Sequence, residues 1–152
     1  MSEEATEIYR ALRESQNKYT YFLLAAAGAA VALAVNQTHA TALTWSQIPL
    51  AAGVLSWALS FLFGCRHIAY VNSALYANAE YLRVFSGQHP ELVGVHPQLV
   101  VAAREGIHSA MEHNADCANR NSHRQFRFLI VGAVFYLIWH ILEMYLRGVC
   151  ST

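Results

Sequence analysis

Charged side chains are scarce in this sequence. Asp, Glu, Lys and Arg make up 13% of its 152 residues and hydrophobic residues 55%, whereas a soluble domain carries roughly 25% charged residues. That deficit points to a surface that faces lipid. The charges also lack a prevailing sign: ten basic and ten acidic residues cancel, with pI near 7.1, so no basic field recruits nucleic acid and no acidic field collects cations. Proline occurs three times, and Pro49, Pro90 and Pro97 each read as a helix-start signal, where an unpaired amide costs nothing. Also missing are a phosphate-binding glycine loop, a nucleophile elbow and a His-Glu-x-x-His run. An enzyme is therefore not expected, and no cofactor is called for.

The longest charge-free stretch lies between Lys18 and Arg66. One helix crosses a ~30 Å hydrocarbon core with ~20 apolar residues, so this run allows two crossings and a turn. Asn36-Gln37-Thr38-His39 marks the turn, and Trp45-Ser46-Gln47-Ile48-Pro49 restarts the apolar text. Spans are expected at 19–35 and 48–65, and a third at 127–145. The third has a short uncharged core, Phe128 to Leu142, and crosses if Arg127 snorkels at one end and Glu143 lies near the opposite headgroups. The competing reading, core helices of a soluble bundle, fits this hydropathy less well. The opening MSEEATEIYR has no basic region of a cleavable signal, so the first span is expected to stay.

Three spans put the termini on opposite sides, and the basic residues choose between them. Arg10, Arg13 and Lys18 precede the first span, while Arg66, Arg83, Arg104, Arg120, Arg124 and Arg127 lie between the second and third. Arg147 stands alone on the other side. The N-terminus and the segment 66–126 are thus expected in the cytoplasm, and the 36–47 loop and the C-terminus outside. Tyr19 and Tyr21 mark the inner boundary, Trp45, Trp139 and Tyr145 the outer one. Cys65 and Cys117 fall on the reducing side and Cys150 outside, so no intrachain disulfide framework is expected, although Cys150 could bridge two copies.

Residues 1–18 mix charges at helical spacing, with Ile8 and Leu12 four apart and Glu14 four before Lys18, and read as an amphipathic helix running into the first span. After the second span nothing breaks the helix until Gly87, a C-cap signal, followed by Pro90. His89-Pro90-Glu91-Leu92-Val93 is echoed by His96-Pro97-Gln98-Leu99-Val100, giving a short helical turn and then a long helix that runs toward the third span. The expected fold is all-α: a single membrane domain with three spans and, between spans two and three, a long cytoplasmic helical hairpin over 66–126. Ile68, Val71, Leu75, Asn78, Leu82 and Phe85 recur at coiled-coil intervals, as do Val100, Ala103, Ile107, Ala110, Asn114 and Cys117. This seam, with Asn78 and Asn114 setting register, serves packing within the hairpin or between copies.

Several constellations could carry chemistry. Glu105 and His108 have the Glu-x-x-His spacing of di-iron helices, but the facing arm with Glu80 has no second copy. His113 and Cys117, four apart beside Asp116, could ligate zinc; the bland reading is a solvated face with an Asp116–Arg120 ion pair. Arg120, Arg124 and Arg127, with Asn121 and His123 among them, are placed to meet lipid headgroups or a phosphorylated ligand. Within Leu137-Ile-Trp-His-Ile-Leu-Glu-Met-Tyr-Leu-Arg147, His140 and Glu143 lie ~20 and ~24 Å along the helix from Arg127 at ~1.5 Å per residue. An ionisable group in a span is a functional candidate by default. Glu143 is expected at the interface, paired with Arg147, and His140, on one side with Tyr136, could line a wet path with His39. Ala25 to Ala30 make the first span thin, and Gly53, Ser56, Ser60 and Gly64 form a small-residue stripe along the second, surfaces suited to close helix packing.

The layout of the first 86 residues, a charged helix, two spans with a short outer loop and a long cytoplasmic helix, resembles small two-span effector modules of bacterial conflict systems, presumed to perturb membranes. The likeness is one of architecture without a specific motif, and the third span departs from it. The function expected is an oligomeric multi-pass protein that forms a pore or alters permeability, with the hairpin for assembly or signal reception. Its expected partners are membrane lipids and further copies of itself. The alternatives are a membrane anchor that docks a soluble cytoplasmic protein through the hairpin, and a metal- or haem-binding redox subunit that uses the eight histidines.

Overall fold

The computed structural model describes residues 3–38, 45–87, 89 and 96–149, and within these the chain is all-helical. Helix accounts for 97% of the described residues, with no strand, leaving only Ser86, Gly87, His89 and His96 outside it. Three long helices follow one another: α1, Glu3–Thr38; a single 3-10 turn, Trp45–Gln47, leading into α2, Ile48–Phe85; and α3, Pro97–Val149. All three are long and apolar enough to cross a membrane. The charged segment before Tyr19 and the apolar one after it are one continuous helix, because no glycine or proline intervenes before Gly28.

Local chemistry sets the helix ends. Pro49 sits in the first turn of α2, where its missing donor is tolerated. At the other end Gly87 adopts φ +70°, a left-handed conformation that favours glycine, and its amide donates back to the Val84 carbonyl at 3.2 Å while Ser86 N donates to Leu82 O at 2.9 Å. His96 caps α3: its Nδ1 accepts from Gln98 N at 3.4 Å and its carbonyl from Leu99 N at 2.9 Å. This leaves Pro97 as the first helical residue. From there the helix continues through Gly106 and Gly132 without a break. The residues expected to form a short turn after Pro90 lie outside the described set.

Contacts divide the chain into two compact units. Unit 1 comprises Met1–Gly64 and His123–Thr152. Its core joins Ala34 of α1, Leu50 and Trp57 of α2 and Trp139 of α3, with Val54, Leu129 and Tyr136 packed against them. The small-residue stripe of α2 is the contact surface. A methyl at Gly53 would meet the Gly132 carbonyl at 3.2 Å, and one at Gly64 would lie 2.6 Å from both the Gln125 amide and Leu24. Large apolar side chains on the same helices, among them Phe22, Leu55, Leu62, Val134 and Ile141, are exposed.

Unit 2, Cys65–Ser122, pairs the rest of α2 with the start of α3. The pairing is antiparallel. His67 Nδ1 lies 2.8 Å from the Ala118 carbonyl and Tyr81 meets Arg104, so two heptads forward on α2 correspond to two heptads back on α3. On α2, His67 and Tyr81 make these contacts and Val84 is buried, while Tyr70, Ala74 and Ala77 are half-buried, as are Ile68, Val71 and Leu75 of the expected seam.

Candidate functional site

Polar side chains collect inside unit 1. Ser60 and Gln125 have no exposed surface, and the Ser60 hydroxyl donates to the Gln125 main-chain carbonyl at 2.8 Å. Neither Nε2 nor Oε1 of the Gln125 amide has a hydrogen-bond partner among the described residues. Leaving a buried amide in that state costs about 1–3 kcal/mol. Ser56 returns its hydroxyl to the Ala52 carbonyl at 2.8 Å, as serine does within an apolar helix. Further along, Trp57 Nε1 donates to the Leu129 carbonyl at 3.2 Å, an approach open because residue 132 is glycine. Trp57, Tyr136 and Trp139 then form a run of tilted rings 5.8 and 5.7 Å apart.

His140 and Glu143 belong to this end of unit 1. The His140 ring is exposed and stacks on Tyr136 at 6.4 Å, and the Tyr136 hydroxyl donates to Gln37 Oε1 at 2.9 Å. Glu143 is half-buried and accepts from the Ser46 hydroxyl at 3.3 Å. His39 and the Arg147 side chain lie outside the described residues, so the wet path and the Glu143–Arg147 pair are not described. Arg124 places its guanidinium 5.8 Å over the Phe63 ring, and Phe63 stacks on Phe128 at 5.4 Å. Arg127 is exposed.

In unit 2, Leu75 and Ile107 are half-buried, as is Asn114, while Asn78 and Leu82 are exposed. Polar contacts across this unit run instead through His67 to Ala118 and Tyr81 to Arg104. Cys117 Sγ lies 3.6 Å from His113 Nε2 and accepts from Arg120 Nη2 at 3.3 Å. Arg120 thus turns to the sulfur, and that hydrogen bond, with the sulfur's charge second, raises its pKa above the ordinary guanidinium value. Among the described residues no three His, Cys, Asp or Glu side chains gather as a metal group. Glu80 binds Arg83 at 2.8 Å and faces His89 at 3.6 Å, while His108 turns toward Glu112, also at 3.6 Å.

Two features were not singled out from sequence. Gln125 sits between Arg124 and Arg127, where the third span is expected to begin, in text that looks solvated. Its signal is the buried Gly132 seven residues on, which with Gln125 faces the small residues Gly53, Ser60 and Gly64 of α2. The Ser46–Glu143 bond joins residues remote in sequence and has no local signature.

Comparison with protein-family models, curated proteins and solved structures finds no match for this chain.

Proposed function

We propose that the chain is a multi-pass membrane protein that assembles with further copies of itself to form a pore or otherwise alter permeability, with unit 2 in the cytoplasm for assembly or signal reception. The observation that carries this reading is the buried Gln125 amide. An unpaired polar side chain inside a bundle whose outer faces are apolar destabilises the closed packing, and an arrangement that lets it meet water or a second copy relieves the cost. The exposed Phe22, Leu55 and Ile141 suit contact with lipid tails, and Trp45, 88% exposed, suits a headgroup boundary. The test is ion or dye flux from liposomes containing the purified chain. Protein that stays monomeric and leaves the liposomes tight counts against the reading.

A second reading, a membrane anchor that docks a soluble protein, draws on the exposed apolar side chains of unit 2: Tyr76, Leu82, Phe85, Leu99 and Val101. Cross-linking of the full chain to one stoichiometric cytoplasmic partner, without leakage, favours it.

A further inference from the structure

A groove of about 320 Å³ opens in unit 2 between Tyr81 of α2 and Val101, Arg104, Glu105 and His108 of α3. That volume is at the low end of the ~300–1,000 Å³ typical of small-molecule sites. Arg104 is half-buried, lies 5.7 Å from the Tyr81 ring centre and 4.9 Å from that of Phe85, and donates through Nη2 to the Tyr81 hydroxyl at 3.4 Å. Among the described residues it has no carboxylate at ion-pair distance. A half-buried guanidinium held by two rings, with no counter-ion among the described residues, is pre-arranged for an anion.

The other groove residues narrow the anion. His108 stands four residues after Arg104, on the same face, with Nδ1 turned to Glu112 at 3.6 Å. Tyr81 accepts from Arg104 and so keeps its own hydrogen to donate. Arg104 and Tyr81 donate as they stand, and His108, whose Nδ1 faces the Glu112 carboxylate, donates through Nε2 as the imidazolium; three such groups around one groove suit the three terminal oxygens of a phosphate monoester better than the two of a carboxylate. Glu105 lines the same groove and, ionised, only accepts. It repels bare phosphate and favours an ester whose organic part offers hydroxyl or amine donors, with Val101 and the Tyr81 ring as the apolar wall.

We infer that this groove binds a small phosphate monoester bearing hydroxyl or amine donors, free in solution or as a lipid headgroup. Arg104, Tyr81 and His108 hold the phosphate, and Glu105 accepts from the organic part. The inference gives chemical identity to the signal of the reading above and rests on that reading only for its consequence.

The test titrates the full chain, in an uncharged detergent, with ribose 5-phosphate, with a water-soluble short-chain phosphatidylinositol 4-phosphate and with inorganic phosphate. Saturable binding of ribose 5-phosphate at one per chain, tighter than that of inorganic phosphate, supports the groove and a free ligand; saturable binding of the inositide alone supports a lipid source. Arg104→Met is expected to weaken binding about tenfold or more. Glu105→Gln is expected to weaken the organic ester while inorganic phosphate binds as well or better, a selectivity change that a folding defect does not mimic. No saturable binding of either ester, an Arg104→Met chain that binds as tightly as the unaltered one, or a Glu105→Gln chain with unchanged selectivity overturns the inference. Binding with tight liposomes defeats the permeability reading alone, and leakage without binding defeats this one alone.

Discussion

The hydroxyl of Ser60 donates to the main-chain carbonyl of Gln125, 2.8 Å away, and both residues are fully buried. The bond joins α2 to α3 through main chain, so it survives any change of the Gln125 side chain. The amide of that same side chain has no partner among the described residues. Gln125→Met keeps about the same volume and removes the unpaired groups, so it is expected to stabilise the detergent-solubilised chain by roughly 1–3 kcal/mol, seen as a higher thermal unfolding midpoint. The same variant is expected to lower liposome flux, because the closed packing is relieved of its strain. A lower midpoint would show that the amide is satisfied in the folded chain.

Gly132 tests how closely α2 and α3 approach. A methyl there would lie 2.5 Å from Cδ1 and Nε1 of Trp57, a ring held by its bond to the Leu129 carbonyl. Gly132→Ala is therefore expected to destabilise by about 1–3 kcal/mol, the usual cost of overpacking. At Gly28 nothing lies within 4 Å, so Gly28→Ala gains helix propensity and is expected to stabilise by about 0.5–1 kcal/mol. Chemical unfolding of the two variants side by side reads the contrast, and equal effects would contradict the close approach.

The helix limits were legible because each depends on one local conformation: the left-handed turn at Gly87, and the fixed φ of Pro97 after the capping His96. The continuity of the return helix of unit 2 with the third candidate span also follows from local text, since no proline interrupts α3 after Pro97. Rotation of a helix about its axis is harder to read. Tyr81 meets Arg104 and Leu82 is exposed, yet the expected coiled-coil seam, with Asn78 at its middle, takes in Leu82 and passes over Tyr81. The choice is made by a polar contact across helices, and hydropathy has no term for it. Gln125 escaped notice for the same reason, since its burial depends on the facing Ser60 and Gly64.

Ser46 ties the turn before α2 to Glu143 near the end of α3 at 3.3 Å. A hydrogen bond to a carboxylate contributes about 1.5–3 kcal/mol and one to an amide about 0.5–1.5 kcal/mol. Glu143→Gln retains an acceptor and is expected to cost about 1 kcal/mol, the difference between the two. Glu143→Leu removes the acceptor and is expected to lower the unfolding midpoint and to speed proteolysis at the start of the Trp45–Gln47 turn. Equal midpoints for the two variants would show that this bond contributes nothing to holding the turn.

Sidedness can be tested at two exposed positions. Nine of the ten basic residues precede the first expected span or lie between the second and third. The expectation from the positive-inside bias is therefore His96 in the cytoplasm and Trp45 outside. Both side chains are exposed, so a thiol at either is open to reagent. With Cys65, Cys117 and Cys150 replaced by serine, Trp45→Cys is expected to react with a membrane-impermeant maleimide in sealed cells, and His96→Cys only after the membrane is opened. The reverse pattern would invert the topology while leaving three spans. Reaction of both in sealed cells would place positions 45 and 96 on the same side, and then α2 would not cross the membrane.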